Sequence, residues 1–207
     1  MLDSSILDRF DPQGMYKIYD EWPKIARDGY NMDLEQADFK DIGHIVFAGM
    51  GGSGALHDIF SAILSKTNIH VSVVKGYHLP NTVDADTLVV TTSASGDTVE
   101  TLTVLESAKK IGCKMIAFSS GGKMKKYCFE NKIKYQEVSM YLSPRSSFPS
   151  FLFSMLKVLE PVFSIKKEDI LESISNLENL QKKIHSHNLF PDNPSLEMAN
   201  WLSSVPV

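Results

Sequence analysis

The chain has 207 residues, 43% hydrophobic and 22% charged, with a formal net charge of −4 and a pI near 5.9. That supports a sizeable core in one large domain, or in one domain with a helical appendage, and it leaves no broad basic footprint for nucleic acid as the main partner. No apolar run reaches membrane-spanning length, residues 1–9 have no apolar signal region, and Cys113 and Cys128 lack metal-ligand spacing, so a reduced, cytoplasmic chain with no membrane partner is expected.

Asp11-Pro12 reads as an N-cap followed by proline at a first helical position. Met15, Ile18, Tyr19, Trp22, Ile25 and Ala26 then recur at helical spacing, with Pro23 expected to kink or restart the helix. A polar stretch over 31–41 leads to a first strand, 44–48. A glycine cluster follows, Gly49-Met50-Gly51-Gly52-Ser53-Gly54, and then an amphipathic helix carrying Leu56, Ile59, Phe60, Ile63 and Leu64. A second strand over 70–74 is β-branched and mostly apolar, as for a strand covered on both faces. The third spans 87–92, with Thr92 placed at its exit. Ser93-Ala94-Ser95-Gly96-Asp97-Thr98 comes next, then a helix through Ile111, a fourth strand over 114–119, a basic helix over 123–131 and a fifth strand over 134–138.

Five apolar strands with intervening helices predict an α/β fold: a three-layer α/β/α sandwich, flavodoxin-like, on a five-stranded parallel sheet, with additional C-terminal helices. In such sheets ligands bind beyond the carboxyl ends of the strands. The expected division is an N-terminal helical segment, 1–40, a sheet domain, 41–160, and a helical linker, 161–207. A helix around Phe148–Leu159 is apolar on nearly every face and predicts a subunit or second-domain interface. Residues 167–185 read as an ordinary amphipathic helix. Asn193 or Ser195 starts another, and Val205-Pro206-Val207 reads as a new strand beginning where the chain is cut.

Two loops carry candidate chemistry. The glycine cluster satisfies G-x-G-x-x-G, and a helix start there favours an anion; a tight strand-to-helix turn without a ligand is the alternative. A dinucleotide fold also expects an acidic residue at the end of the second strand. Val73-Val74-Lys75 stands there, which disfavours NAD and leaves NADP only Lys75. The serine loop crowds three hydroxyls onto a helix N-terminus, the donor set a phosphate wants. Asp97 as N-cap with Glu100 at N3 explains the same residues as a capping box, and both readings hold if Asp97 caps while the serines face a pocket. Arg145, one of three arginines, follows strand five; it suits an anionic ligand or a developing enolate charge, or else a surface ion pair. The six histidines form no metal set: His185 and His187, two apart on a helix, would not share a face. No nucleophile elbow or P-loop is present, and Gly121-Gly122-Lys123-Met124 does not replace one.

The pair Gly49–Ala55 and Ser93–Thr98, the latter followed by Val99-Glu100-Thr101, resembles sugar isomerase (SIS) domains. With Ser143-Pro144-Arg145 after strand five, the chain is similar to the N-terminal half of bifunctional phosphoglucose/phosphomannose isomerases. The resemblance implies that Gly51, Gly52 and Ser53 lie on the sugar, that Ser93, Ser95 and Thr98 hold its 6-phosphate, and that Arg145 stabilises charge as a proton moves between C1 and C2 through a cis-enediol. It implies no cofactor and no metal, a hexose 6-phosphate substrate, and a homodimer for the full-length protein. The family's glutamate base and ring-opening histidine match no residue here, and Glu137 and His78 are poorly placed for either role. This chain alone is therefore expected to bind without turnover. Asp97 stands where many members have asparagine, and both cap helices. The rival from another class is a non-catalytic module that senses a sugar phosphate.

Overall fold

The computed structural model describes residues 4–163 and 165–203. The chain forms two compact units: residues 28–164, and residues 1–27 together with 165–207. These boundaries fall elsewhere than at 40/41 and 160/161, because residues 28–40 join the sheet unit.

The sheet unit is built on five parallel strands in the order β2-β1-β3-β4-β5. They are β1 (His44–Ala48), β2 (His70–Val74), β3 (Leu88–Ser93), β4 (Lys114–Ser119) and β5 (Lys134–Glu137). Every residue of β3, and all of β1 after His44, is buried, which is why both read as near-continuous apolar or β-branched runs. β2 corrects an expectation: it is an edge strand with only Val74 buried, so its β-branched composition reflects strand propensity rather than coverage on both faces. Thr92 also lies inside β3, because the strand continues through Ser93 in register with Ser119 of β4.

The intervening helices are α4 (Gly51–Leu64), α5 (Val99–Ile111) and α6 (Gly122–Asn131), followed after β5 by α7 (Phe148–Leu159). Nine of the twelve α7 residues are buried within this chain, so no subunit interface is needed to cover the helix. Within the sheet unit α7 packs on α4, its Val158 carbonyl accepts the Ala37 N–H at 2.8 Å, and Ser150 Oγ donates to the Ser139 carbonyl at 2.9 Å. Gly29 sits against it because a Cβ there would lie 3.2 Å from the Ser150 carbonyl. Phe47, Phe60 and Phe163 form an aromatic cluster, with the first two rings stacked at 5.3 Å. Burying side chains of this size contributes about 1.5–3 kcal/mol each.

The smaller unit holds α1 (Ser4–Phe10), α2 (Met15–Asp20), the start of α3 (Trp22–Asn31), α8 (Lys167–Ile184) and α9 (Pro194–Ser203). The helix expected from Asp11 starts instead at Met15. Residues 11–14 form a turn, and the Asp11 carboxylate reaches past it to accept the Tyr16 N–H at 2.8 Å. Pro23 does restart the helix, separating α2 from α3. Asn193 caps α9, accepting the Ser195 N–H at 2.9 Å. The strand expected at 205–207 lies outside the described residues. Among the described residues no helix is long and apolar enough to cross a membrane. Both cysteines are free and buried, and burial pushes the Cys128 thiol up to about 12.

Candidate functional site

The strand order places β2 on one side of β1 and β3 on the other, so the chain reverses direction across the sheet between β1 and β3. Loops leaving the carboxyl ends of such a pair diverge and open a crevice. The loops here are 49–53 and 93–98, the two stretches that stood out in the sequence.

Gly49 is fixed by its neighbours: a Cβ there would lie 2.8 Å from the Thr92 carbonyl oxygen and 2.8 Å from His57 Cε1. The helix begins inside the glycine cluster, at Gly51, rather than beyond it. No side chain caps this start, Gly51 and Gly52 are exposed with open space where a Cβ would be, and half-buried Ser53 follows them. A helix end of this kind presents N–H groups and the positive end of its dipole to an anion.

In the serine loop Ser93 and Thr98 are brought together, while the Ser95 hydroxyl bonds within the turn. Ser93 is buried; its Oγ lies 2.9 Å from Thr98 Oγ1 and accepts the Gly96 N–H at 3.0 Å. Ser95 is exposed and its Oγ accepts the Asp97 N–H at 3.2 Å. Thr98 is the N-cap of α5, but its side chain does not cap. The capping box is corrected: Asp97 accepts the Lys123 N–H at 3.0 Å, so it caps α6, and Glu100 falls at N2 of α5. The Gly96 carbonyl accepts the Met124 N–H at 2.9 Å. The start of α6 is thus satisfied within the protein, while α5 keeps an open start beside Ser95 and Thr98.

Gly121-Gly122, unassigned from sequence, holds this loop. A Cβ on Gly96 (φ +76°) would lie 1.9 Å from the Gly121 carbonyl, and one on Gly122 (φ +68°) 2.4 Å from the Ser95 carbonyl. Ser120 completes the clasp, donating from N at 3.1 Å and from Oγ at 2.6 Å to the Ala94 carbonyl. The β3 and β4 loops are therefore clasped to each other by close backbone contact and hydrogen bonds.

Arg145 lies beyond β5 on a turn buttressed by buried Ser146 and Ser147, whose hydroxyls reach the Ser143 carbonyl at 3.0 and 2.7 Å. It is exposed and makes no ion pair among the described residues, so the surface salt bridge does not form. β5 is two strands from β3, about 10 Å at the usual strand spacing, and among the described residues no hydrogen bond ties Arg145 to either loop.

His57 was not singled out from the sequence, although it stands one helical turn after Ser53 on α4. It is fully buried behind Gly49, with Nε2 3.0 Å from Thr92 Oγ1 and Nδ1 without a partner among the described residues. Burial pushes its pKa down to about 3, so it is a neutral positioning group here rather than a proton carrier. Lys75 pairs with Asp58 at 2.6 Å. The Tyr77 hydroxyl is held above its ordinary value chiefly by the nearby Glu100 carboxylate.

The sheet unit is thus a parallel α/β domain whose glycine turn and serine loop leave β1 and β3 at the switch point. Residues 38–134 match the SIS domain family. The chain is 33% identical over 180 residues to a bifunctional phosphoglucose/phosphomannose isomerase of Caldicellulosiruptor bescii, and 36% identical over 174 residues to one of Aquifex aeolicus, covering 83% of this chain and 51% of the relative in each case. It spans about half the length of the curated relatives it matches. An Escherichia coli CFT073 protein solved with a bound ligand shares the fold, with a TM-score of 0.56 and 20% identity over 83% of this chain and 99% of that one. Residues 38–134 are an SIS domain, homologous to those of the bifunctional isomerases.

Proposed function

We propose that the chain is the hexose 6-phosphate-binding SIS unit of an aldose–ketose isomerase, one interconverting glucose 6-phosphate or mannose 6-phosphate with fructose 6-phosphate. The observation that carries this reading is the uncapped start of α5 beside Ser95 and Thr98, facing the glycine turn across the switch point. The phosphate takes the α5 N–H groups with the hydroxyls of Ser95 and Thr98. Ser93, from within, orients Thr98. The sugar lies over Gly51, Gly52 and Ser53, where the absence of side chains on the two glycines lets the backbone approach. Arg145, free of any acidic partner among the described residues, supplies positive charge for the enediol oxygens as the proton moves between C1 and C2.

The base and the ring-opening histidine of this chemistry come, on the family resemblance, from a second SIS half and from a partner subunit in a cytoplasmic homodimer. Neither Glu137, paired with Lys125 at 2.6 Å, nor exposed His78 replaces them. The 207-residue chain accordingly binds substrate without turning it over. The same site without chemistry defines a sugar-phosphate sensor, and the ligand-bound E. coli neighbour, matched over nearly its whole chain, supports a single SIS unit as sufficient for binding.

A thermal-shift titration with fructose 6-phosphate, mannose 6-phosphate and NADP tests the reading. At a hundred times Kd the sugar phosphate stabilises the fold by about 2.7 kcal/mol. Ser95→Ala loses one hydrogen bond to a charged group and weakens binding about tenfold or more. A shift with NADP alone, or normal isomerase turnover by this chain, overturns the proposal.

A further inference from the structure

The smaller unit carries a second cluster of chemistry-bearing side chains. The sequence places His185 and His187 two apart on a helix, where they diverge. The structure ends α8 at Ile184, and His185 turns extended, with φ −53° and ψ 141°. A turn closed by the Asn188 N–H on the His185 carbonyl at 2.8 Å then brings both rings to one side. They stack at 4.9 Å, with Nδ1 of one 3.1 Å from Nδ1 of the other. Asp20, at the end of α2, completes the group with Oδ2 3.8 Å from His185 Nδ1. One donor atom from each of the three lies within 4.8 Å of the others.

We infer that Asp20, His185 and His187 form a binding site for a divalent transition-metal ion of the zinc class, with at least one coordination position open. Imidazole suits such ions, and two imidazoles with one carboxylate recur in sites that retain an exchangeable ligand. Metal–ligand bonds of 2.0–2.1 Å at tetrahedral angles put neighbouring donors about 3.3 Å apart; the two histidine nitrogens are 3.1 Å apart, His185 and Asp20 3.8 Å, and the third pair, within 4.8 Å, closes by movement of the exposed His187 side chain. The carboxylate is oriented: Ser186 donates to it from N at 3.0 Å and from Oγ at 2.5 Å, the kind of outer support metal carboxylates have. The His187 N–H also points at His185 Nδ1 at 3.1 Å, and the ion takes that lone pair in its place. Asp20 also borders an open cleft of about 440 Å³ lined with Glu21, Lys24, Arg27, Glu178 and Lys182, so the bound ion faces a polar, solvent-filled space. Because Asp20 lies 165 and 167 residues from the two histidines in sequence, the ion clips the two ends of the unit together.

The test is calorimetric and thermal titration of the chelator-stripped chain with zinc chloride, in wild type, His187→Ala and Ser186→Ala. His187 is exposed, so its removal leaves the fold intact, and an unchanged thermal shift with fructose 6-phosphate verifies this. The expected result is one zinc per chain, a rise in the wild-type midpoint, loss of both in His187→Ala, and Kd weakened about 10- to 100-fold in Ser186→Ala. Absence of zinc binding in wild type, or zinc binding undiminished in His187→Ala, overturns the site.

Discussion

His57 shows how the scaffold uses a titratable side chain without using its charge. Its folded pKa, about 3, lies below the ordinary histidine value of 6.5 because the charged ring is buried away from water, with Lys75 adding a smaller push in the same direction and Asp58 opposing it. The unfolded chain therefore binds a proton that the folded chain refuses as pH falls below 6.5. The stability due to a neutral His57 is complete above about pH 6.5 and is lost progressively toward pH 3. Urea unfolding should show about 2–3 kcal/mol less stability at about pH 4.5 than at about pH 7 from this group, and His57→Gln should flatten that slope. The position was legible as a helical residue only, since nothing local tells a buried histidine from an exposed one. The glycine and serine loops were legible because their donors are contiguous. The role of Asp97 was not, because the amide it caps is Lys123, 26 residues on.

The two readings of Asp97 separate at the level of helices. As the cap of α6, its replacement by alanine costs about 1 kcal/mol and speeds amide exchange at 122–124, while exchange at 99–101 stays as it was. A cap of α5 would reverse that pattern, and hydrogen exchange with mass spectrometry distinguishes them. The bounds of β1, β2 and β4 agree with the sequence reading because apolar runs there stop at polar or glycine residues. The edge position of β2 was hidden, because it depends on strand order and not on composition. The end of α8 was hidden for a related reason: its C-cap is His185, without the glycine that marks many helix ends, so periodicity alone carried the helix one residue too far and misdirected two imidazoles.

For the whole molecule, the site and the sheet belong to one compact unit, residues 28–164, and both loops, the β4 clasp and the Arg145 turn lie within it. A chain trimmed to residues 22–164, which keeps α3 whole, is expected to retain the circular-dichroism spectrum of a parallel α/β domain and a thermal shift with fructose 6-phosphate. Loss of the shift with the spectrum preserved would place part of the binding surface outside this unit. The smaller unit has another order in time. Its two ends are separated in the chain by the sheet unit, yet Tyr19 and Trp22 share a cavity with Leu177, Gln181 and Ile184. At translation rates of about 5–20 residues per second, α8 follows the start of α3 by on the order of ten seconds. Until then α2 and the start of α3 wait with their aromatic side chains in water, an exposure that a holding chaperone is suited to cover.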